Sequence, residues 1–244
     1  MKNVLVIGGA AGIGKDIALS FVMEGNTVAI ADINKQALTK MKNEYGKENK
    51  LFVFEADASE WKSIEDLAKQ VKEQIGTIDL LVYSAGITKR IKFEEIDWET
   101  WKKTMAVNLH GLFYSIKSFY PFLEFGGSVV IIGSGSAITG SGGGIHYASS
   151  KGGAFGFMRS LVTDLGKLGI TINVLAPRVI ESEMLDALYP SHEAKQQLTN
   201  EIPIGRLGKP SDITSAVKYL CSDQAKYIHG QVILLDGGRT YKSS

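Results

Sequence analysis

Residues 3–24 read NVLVIGGAAGIGKDIALSFVME, and the order of the pieces in this stretch decides the fold. Residues 3–7 are a short, nearly continuous apolar run of strand length, and an amphipathic helical pattern follows near residues 13–24. The turn between them, Gly8-Gly9-Ala10-Ala11-Gly12-Ile13-Gly14, lets the backbone fold sharply and approach a ligand closely. The helix after it presents unpaired N–H groups to the turn, which suits a phosphate. The spacing is G-x-x-x-G-x-G rather than the G-x-G-x-x-G of most dinucleotide folds, so its weight comes from the strand before it and the helix after it.

The same alternation continues along most of the chain. Strands are expected at 3–7, 27–31, 51–55, 80–83, 128–132, 171–175 and 231–235, with helical patterns near 13–24, 34–45, 60–75, 99–123, 148–168 and 211–222. Strands as uniformly apolar as VLVI and SVVII suit a sheet covered on both faces. Right-handed crossovers between them build an α/β, doubly wound parallel sheet of about seven strands with helices on both faces. No linker or internal repeat divides residues 1–244, which read as a single domain. Four of the five prolines fall after residue 171, where residues 179–210 interrupt the alternation. That insertion follows a strand's carboxyl end, where such sheets bind ligands, and is expected to cover the substrate.

Composition narrows the function classes. The 244 residues are 44% hydrophobic and 22% charged, with a net charge of +1, as in a globular chain. No block of five like charges offers a nucleic-acid footprint, and no apolar run approaches the ~20 residues of a membrane span. The apolar run at residues 1–7 is too short for a signal segment. The lone Cys221 and the lack of an Asn-x-Ser/Thr sequon suit the cytoplasm. Four scattered histidines, with neither H-E-x-x-H nor C-x-x-C, imply no metal, and the missing G-x-S-x-G elbow argues against a serine hydrolase. The tryptophans Trp61, Trp98 and Trp101 read as packing residues, and Cys221 as a small buried hydrophobe.

Asp32 closes the second expected strand, eighteen residues after Gly14. A carboxylate there can bond both adenosine ribose hydroxyls and would repel a 2′-phosphate, and Ile33 rather than a basic residue follows it. NAD(H) is therefore favoured over NADP(H); the alternative role for Asp32 is a helix N-cap. Tyr147 and Lys151 stand four apart on a helical stretch and so share a face. A nearby ammonium lowers a phenol's pKa toward a useful range for proton transfer. Ser134 lies just past a strand end, where a parallel sheet delivers residues to the edge that holds the glycine loop. Its hydroxyl can hold a substrate oxygen; Ser136 is its competitor, and the glycine-rich run 140–144 brings the chain back toward it.

Together these residues resemble the short-chain dehydrogenase/reductase family in its classical branch, over essentially the whole chain. The likeness joins the loop at 8–14, Asp57-Ala58, Ala85-Gly86, Asn108 within VNLHG, Ser134 within IIGS and Tyr147-Ala148-Ser149-Ser150-Lys151. It continues through Asn173-Val174-Leu175-Ala176-Pro177, Gly205-Arg206-Leu207-Gly208-Lys209-Pro210 and Leu235-Asp236-Gly237-Gly238. The resemblance implies a Rossmann-type sheet and a hydride transfer between nicotinamide and a secondary alcohol or ketone. It makes Tyr147 the acid/base, with Ser134 orienting the substrate oxygen. Lys151 would lower the tyrosine pKa and hold the nicotinamide ribose, and Asn108 would anchor a water in a proton relay. Gly8, Gly12, Ile13, Gly14, Asp32, Asp57, Ala58, Ala85 and Gly86 would bind the cofactor with Tyr147 and Lys151, and Ile180 and Ser182 would meet the carboxamide. It also implies a homo-oligomer, a tetramer or dimer, pairing the helices at 99–123 and 148–168, where Phe113, Phe119, Phe155 and Phe157 lie.

Three stretches depart from the family pattern. Ile7 and Tyr83-Ser84 replace polar residues of the central strands, so Ile7 and Tyr83 are expected to pack together in an apolar repacking. Arg178 follows Pro177 where glycine is usual, and its fork suits a carboxylate, sulfonate or phosphate. With Lys89 and Arg90 nearby, and Ser136 and His146 as further pocket candidates, it points to an anionic hydroxy compound such as a sugar acid, or to a polar sugar or polyol. Pairing of Arg178 with Glu181 or Glu183, or an orientation toward solvent, is the simpler alternative. Reduction of a 3-oxoacyl carrier substrate is the rival reading within the family, and a non-catalytic dinucleotide sensor is the rival outside it.

Overall fold

The computed structural model describes residues 1–46 and 50–242, and the side chains of all of these except Glu183. Among them, seven strands form one sheet: β1 (Asn3–Ile7), β2 (Thr27–Asp32), β3 (Leu51–Glu55), β4 (Ile78–Tyr83), β5 (Leu123–Ile132), β6 (Thr171–Pro177) and β7 (Val232–Leu235). Every neighbouring pair is parallel, in the order β3-β2-β1-β4-β5-β6-β7. This is the expected Rossmann-type sheet. Its helices are α1 (Gly12–Met23), α2 (Lys35–Tyr45), α3 (Trp61–Ile75), α4 (Trp98–Met105), α5 (Gly111–Phe119), α6 (Ser136–Thr139), α7 (Ile145–Gly166), α8 (Glu183–Leu188), α9 (His192–Asn200) and α10 (Pro210–Leu220).

Strand periodicity splits the core into two layers. Leu5, Ile7, Leu81, Tyr83, Val129 and Ile131 face α3, α5 and α7, whereas Val4, Val6, Leu80, Val82 and Val130 face α1, α2 and α10. Both faces are buried, which is why the strands carry so few polar residues. The order reverses between β1 and β4, so the carboxyl ends of those strands open a crevice. Ile7 and Tyr83 are register partners there and share one buried cluster. The repacking is not purely apolar, because the Tyr83 hydroxyl donates to the Val107 carbonyl.

The helical pattern at 99–123 resolves into four pieces. Between α4 and α5, residues Ala106–His110 take one π-helical turn, and Tyr120–Phe122 is a 3₁₀ turn with Pro121 at its start. The periodicity of apolar residues does not reveal such a turn; the Gly111 N–H does, by donating to the Ala106 carbonyl five residues back, and the turn is held in place by the side chain of Asn108. Its Oδ1 accepts from Ile87 N–H at 2.8 Å, and its Nδ2 donates to the Ile87 carbonyl at 3.0 Å and the Ser150 hydroxyl at 2.9 Å. One buried amide thus ties the π turn to the loop after β4 and to α7. Asn108→Ala leaves those groups unpaired, and we expect a loss of about 2–4 kcal/mol. A urea midpoint lowered at constant m would record it.

Residues 179–210 follow β6 and carry α8 and α9. Ile180 pairs with Gly208 in an isolated parallel bridge, which anchors the two ends of this excursion to each other. Phe119 is fully buried in the core, so it belongs to no subunit interface; Phe113 is half-exposed and meets Phe157 edge-on at 6.5 Å. Trp61 packs against Phe113 and Tyr114, and Cys221 is a buried free thiol. No described helix is long and apolar enough to cross a membrane, and no described cluster of His, Cys, Asp or Glu could hold a metal.

Candidate active site

A cavity of about 1050 Å³ runs along the carboxyl edge of the sheet. The glycine loop forms its floor at one end. Gly8 has φ +80°, and a Cβ there would lie 2.4 Å from the Ala85 backbone nitrogen; one on Gly14 would lie 2.0 Å from the Gly8 carbonyl oxygen. Only glycine allows this approach of β1, α1 and the loop after β4. Gly14 therefore closes the turn rather than lining the cavity, whereas Gly8, Gly12 and Ile13 do line it. No side chain caps the N-terminus of α1. Its N–H groups are left for a ligand phosphate, so the residues present fit a dinucleotide.

Asp32 lines the same end. Its Oδ2 accepts from Ala10 N–H at 3.0 Å and its Oδ1 from Asn34 N–H at 3.0 Å, which fixes the carboxylate against the loop. The helix-cap alternative is not what the structure shows: Asn34 is the N-cap of α2, accepting from Ala37 N–H. Asp57, Ala58, Ala85 and Gly86 complete this end of the cavity, with the Asp57 carboxylate bonded by Ser59.

At the other end, Ser134, Tyr147 and Lys151 line the wall together. Tyr147 stands in the first turn of α7, which starts at Ile145 rather than residue 148. Ser134 accepts from Ser136 N–H at 3.1 Å, and its hydrogen bond to the Tyr147 phenol draws the phenol's pKa down while burial pushes it up more strongly. The Lys151 ammonium lies 6.0 Å from the Tyr147 ring centre and donates to the Ile132 carbonyl at 2.9 Å. The expected depression of the tyrosine by this cation is thus not the dominant influence; desolvation is.

Burial also holds Lys151 at about 8, below its ordinary 10.5. An unfolded lysine keeps its proton up to about 10.4, so between these values the unfolded chain binds more protons and stability rises with pH. We expect the wild type to gain up to about 3 kcal/mol over Lys151→Met across that window. Denaturant titrations of both proteins without added cofactor, at pH values spanning the window, check this. A constant difference would remove the buried cation from the account.

Asn108 and His146 do not line the cavity. Asn108 acts from behind it, through Ile87. His146 is fully buried and lies on a different side of α7 from Tyr147, because adjacent residues on a helix do not share a face. Its expected place beside the substrate is therefore not what the fold provides. Ile180, Ser182, Ser136 and Arg178 do line the cavity, as does Arg90, whereas Lys89 does not. Ser182 also caps α8, accepting from Leu185 N–H at 3.2 Å. Arg178 forms no ion pair with Glu181 or any other described carboxylate, and the Glu183 side chain lies outside the described residues. Sequence reasoning missed Tyr189 and Arg239, which reach the cavity from segments distant in the chain and carry no local motif.

Known proteins resemble this chain over nearly its whole length. The family model described as Enoyl-(Acyl carrier protein) reductase matches residues 8–240. The 3-oxoacyl-acyl-carrier-protein reductase of Thermotoga maritima is 34% identical over 240 residues, with 97% of each chain covered. A short-chain dehydrogenase/reductase from Brucella melitensis, described as a glucose/ribitol dehydrogenase, superimposes with a TM-score of 0.93 at 30% identity, covering 99% of this chain and 97% of that one. A blue fluorescent protein from a metagenomic library, solved in complex with NADPH, gives a TM-score of 0.90 at 28% identity over 98% of this chain and 97% of its own.

Proposed function

The chain belongs to the short-chain dehydrogenase/reductase family of oxidoreductases, and on that premise we propose that it is an NAD(H)-dependent enzyme that interconverts a secondary alcohol and a ketone on a small polar substrate. One observation carries the reading: Ser134, Tyr147 and Lys151 line one wall of a cavity whose other end is an uncapped glycine loop with Asp32 beside it. The nicotinamide, when bound, supplies or takes up the hydride. Tyr147 exchanges the carbinol proton, and Ser134 hydrogen-bonds the same oxygen. Lys151 places a positive charge behind the phenol, and Asn108 holds the loop that carries Gly86 and Thr88 against α7.

Asp32 supports NAD(H), since its fixed carboxylate would meet a 2′-phosphate as a like charge. Residues 1–244 act as one catalytic unit in this reading, with residues 179–210 covering the substrate: Ile180, Ser182, Leu188 and Tyr189 all line the cavity. We further propose a cytoplasmic homo-oligomer, dimer or tetramer, with small molecules rather than nucleic acid or membrane as ligands. The half-exposed Phe113 and the free Cys221 thiol suit that reading.

The second reading, a 3-oxoacyl-carrier reductase, is favoured by the names of relatives such as the Thermotoga protein. A screen of hydroxy acids, polyols and sugars with NAD, set beside a 3-oxoacyl thioester with NADH and NADPH, separates the two. Appearance or loss of reduced-cofactor absorbance is the readout. We expect NAD reduction by a polar secondary alcohol. A strict preference for the thioester with NADPH would establish the second reading, and failure to bind either cofactor would end both.

A further inference from the structure

The substrate end of the cavity is built around Arg178. Its backbone N–H is pinned to the Leu235 carbonyl at 3.0 Å, and its side-chain stem lies over Gly135, the residue between Ser134 and Ser136. A Cβ on Gly135 would sit 2.1 Å from the Arg178 Cγ, so the glycine makes the room the stem occupies. The guanidinium then donates to the Thr240 hydroxyl at 2.9 Å and the Ser141 hydroxyl at 2.9 Å. Ser141 belongs to the same short loop as Gly143, whose Cα faces the Tyr147 ring so closely that a Cβ would lie 2.6 Å from it. The arginine is thus fixed by both the Ser134 and the Tyr147 segments.

Its two side-chain partners are neutral, so neither cancels its charge, and three of its five N–H groups have no described partner. The nearby carboxylates are committed elsewhere. Glu201 pairs with Arg239, and Asp236 accepts from Gly238 N–H and Thr240 N–H. Neither lines the cavity, whereas Arg178, Arg239 and Arg90 do, with Tyr189 beneath Arg90 at 5.8 Å. Arg178 thus presents a guanidinium to the cavity with no carboxylate bonded to it, which suits an anionic group of the ligand.

Resting on the oxidoreductase reading above, we propose that the substrate is a hydroxy or oxo acid whose carboxylate is bound by Arg178 while its carbinol oxygen meets Ser134 and Tyr147. Arg178 is then a specificity-determining residue. A thioester, which carries no carboxylate, forfeits this contact.

Two measurements test it. In the first, wild type, Arg178→Ala and Arg178→Lys are compared with NADH on 2-, 3- and 4-oxo acids and on their methyl esters. We expect one acid to exceed its ester in kcat/KM by about tenfold to a hundredfold, as for loss of a charge-assisted fork. The acid-to-ester ratio collapses in Arg178→Ala through the acid's KM, and is intermediate in Arg178→Lys, which keeps charge without the fork. A purely structural role for Arg178 would instead lower both substrates alike. In the second, malonate and succinate are titrated into the NADH complex and followed by cofactor fluorescence. Binding weakened at least about tenfold by Arg178→Ala supports the proposal. Esters matching acids, no binding of either dicarboxylate to the wild-type complex, or binding indifferent to Arg178 overturns it while leaving the oxidoreductase reading in place. Loss of NADH binding itself by the wild type would strike at that reading instead.

Discussion

Tyr147→Phe is expected to lower kcat by about 10³-fold while leaving NADH affinity within about twofold of wild type. The substitution deletes one oxygen and keeps the ring, so packing against Gly143 and the cavity wall is retained. What disappears is, among the described residues, the one group at the Ser134–Lys151 wall placed to exchange a proton with a carbinol oxygen. Ser134 has a hydroxyl there, but a serine does not ionise in the accessible range, and Lys151 turns its ammonium to Ile132. Burial raises the Tyr147 pKa and Ser134 offsets part of that rise, so the wild-type phenol favours its protonated form until further positive charge is brought near. The oxidation direction needs phenolate and should therefore gain with rising pH, whereas ketone reduction needs the phenol. Retention of more than about a tenth of wild-type kcat in the phenylalanine variant would remove Tyr147 from the chemistry. Normal binding without turnover in the wild type, across every alcohol and ketone offered, would favour a dinucleotide sensor.

The second large effect concerns the cofactor. Asp32→Asn should shift the ratio of kcat/KM for NADPH over NADH by at least about a hundredfold toward NADPH. The carboxylate is held by Ala10 N–H and Asn34 N–H, so it cannot swing away from a ligand in the cavity beside it. At about 5 Å and an effective dielectric constant near 20, two like charges repel by about 3 kcal/mol. Asparagine removes that repulsion and keeps an acceptor for one of the two N–H groups. A thermal midpoint measured alongside separates loss of loop stability from the change in preference. An unchanged ratio, or a wild type that already prefers NADPH, would refute the assignment of Asp32.

Much of this is legible in the amino-acid sequence. All seven strands were expected near their observed places, because apolar runs bounded by glycine and polar residues are a local signal. Their ends were less legible: β5 begins at Leu123 and β6 continues to Pro177, since pairing with neighbours extends a strand beyond what its own residues dictate. Gly8, Asp32, Ser134, Tyr147 and Lys151 are legible for a related reason, as each lies at or just past the end of a strand or within the first two turns of a helix. His146 is the residue for which sequence misleads, because adjacency to Tyr147 says nothing about which side of a helix faces the cavity.

Local sequence alone was therefore enough for the order of elements, for the glycine turn against β1, and for the delivery of acid/base residues to one sheet edge. These follow from periodicity and backbone sterics, which act over a few residues. Only tertiary structure decided that Asn108 clamps Ile87 from within a π turn, that Tyr189 and Arg239 join the cavity, and that Arg178 faces neutral hydroxyls instead of a carboxylate. Each of those depends on which distant groups come within about 3 Å, the range at which hydrogen bonds form, and on which charges are already engaged by others.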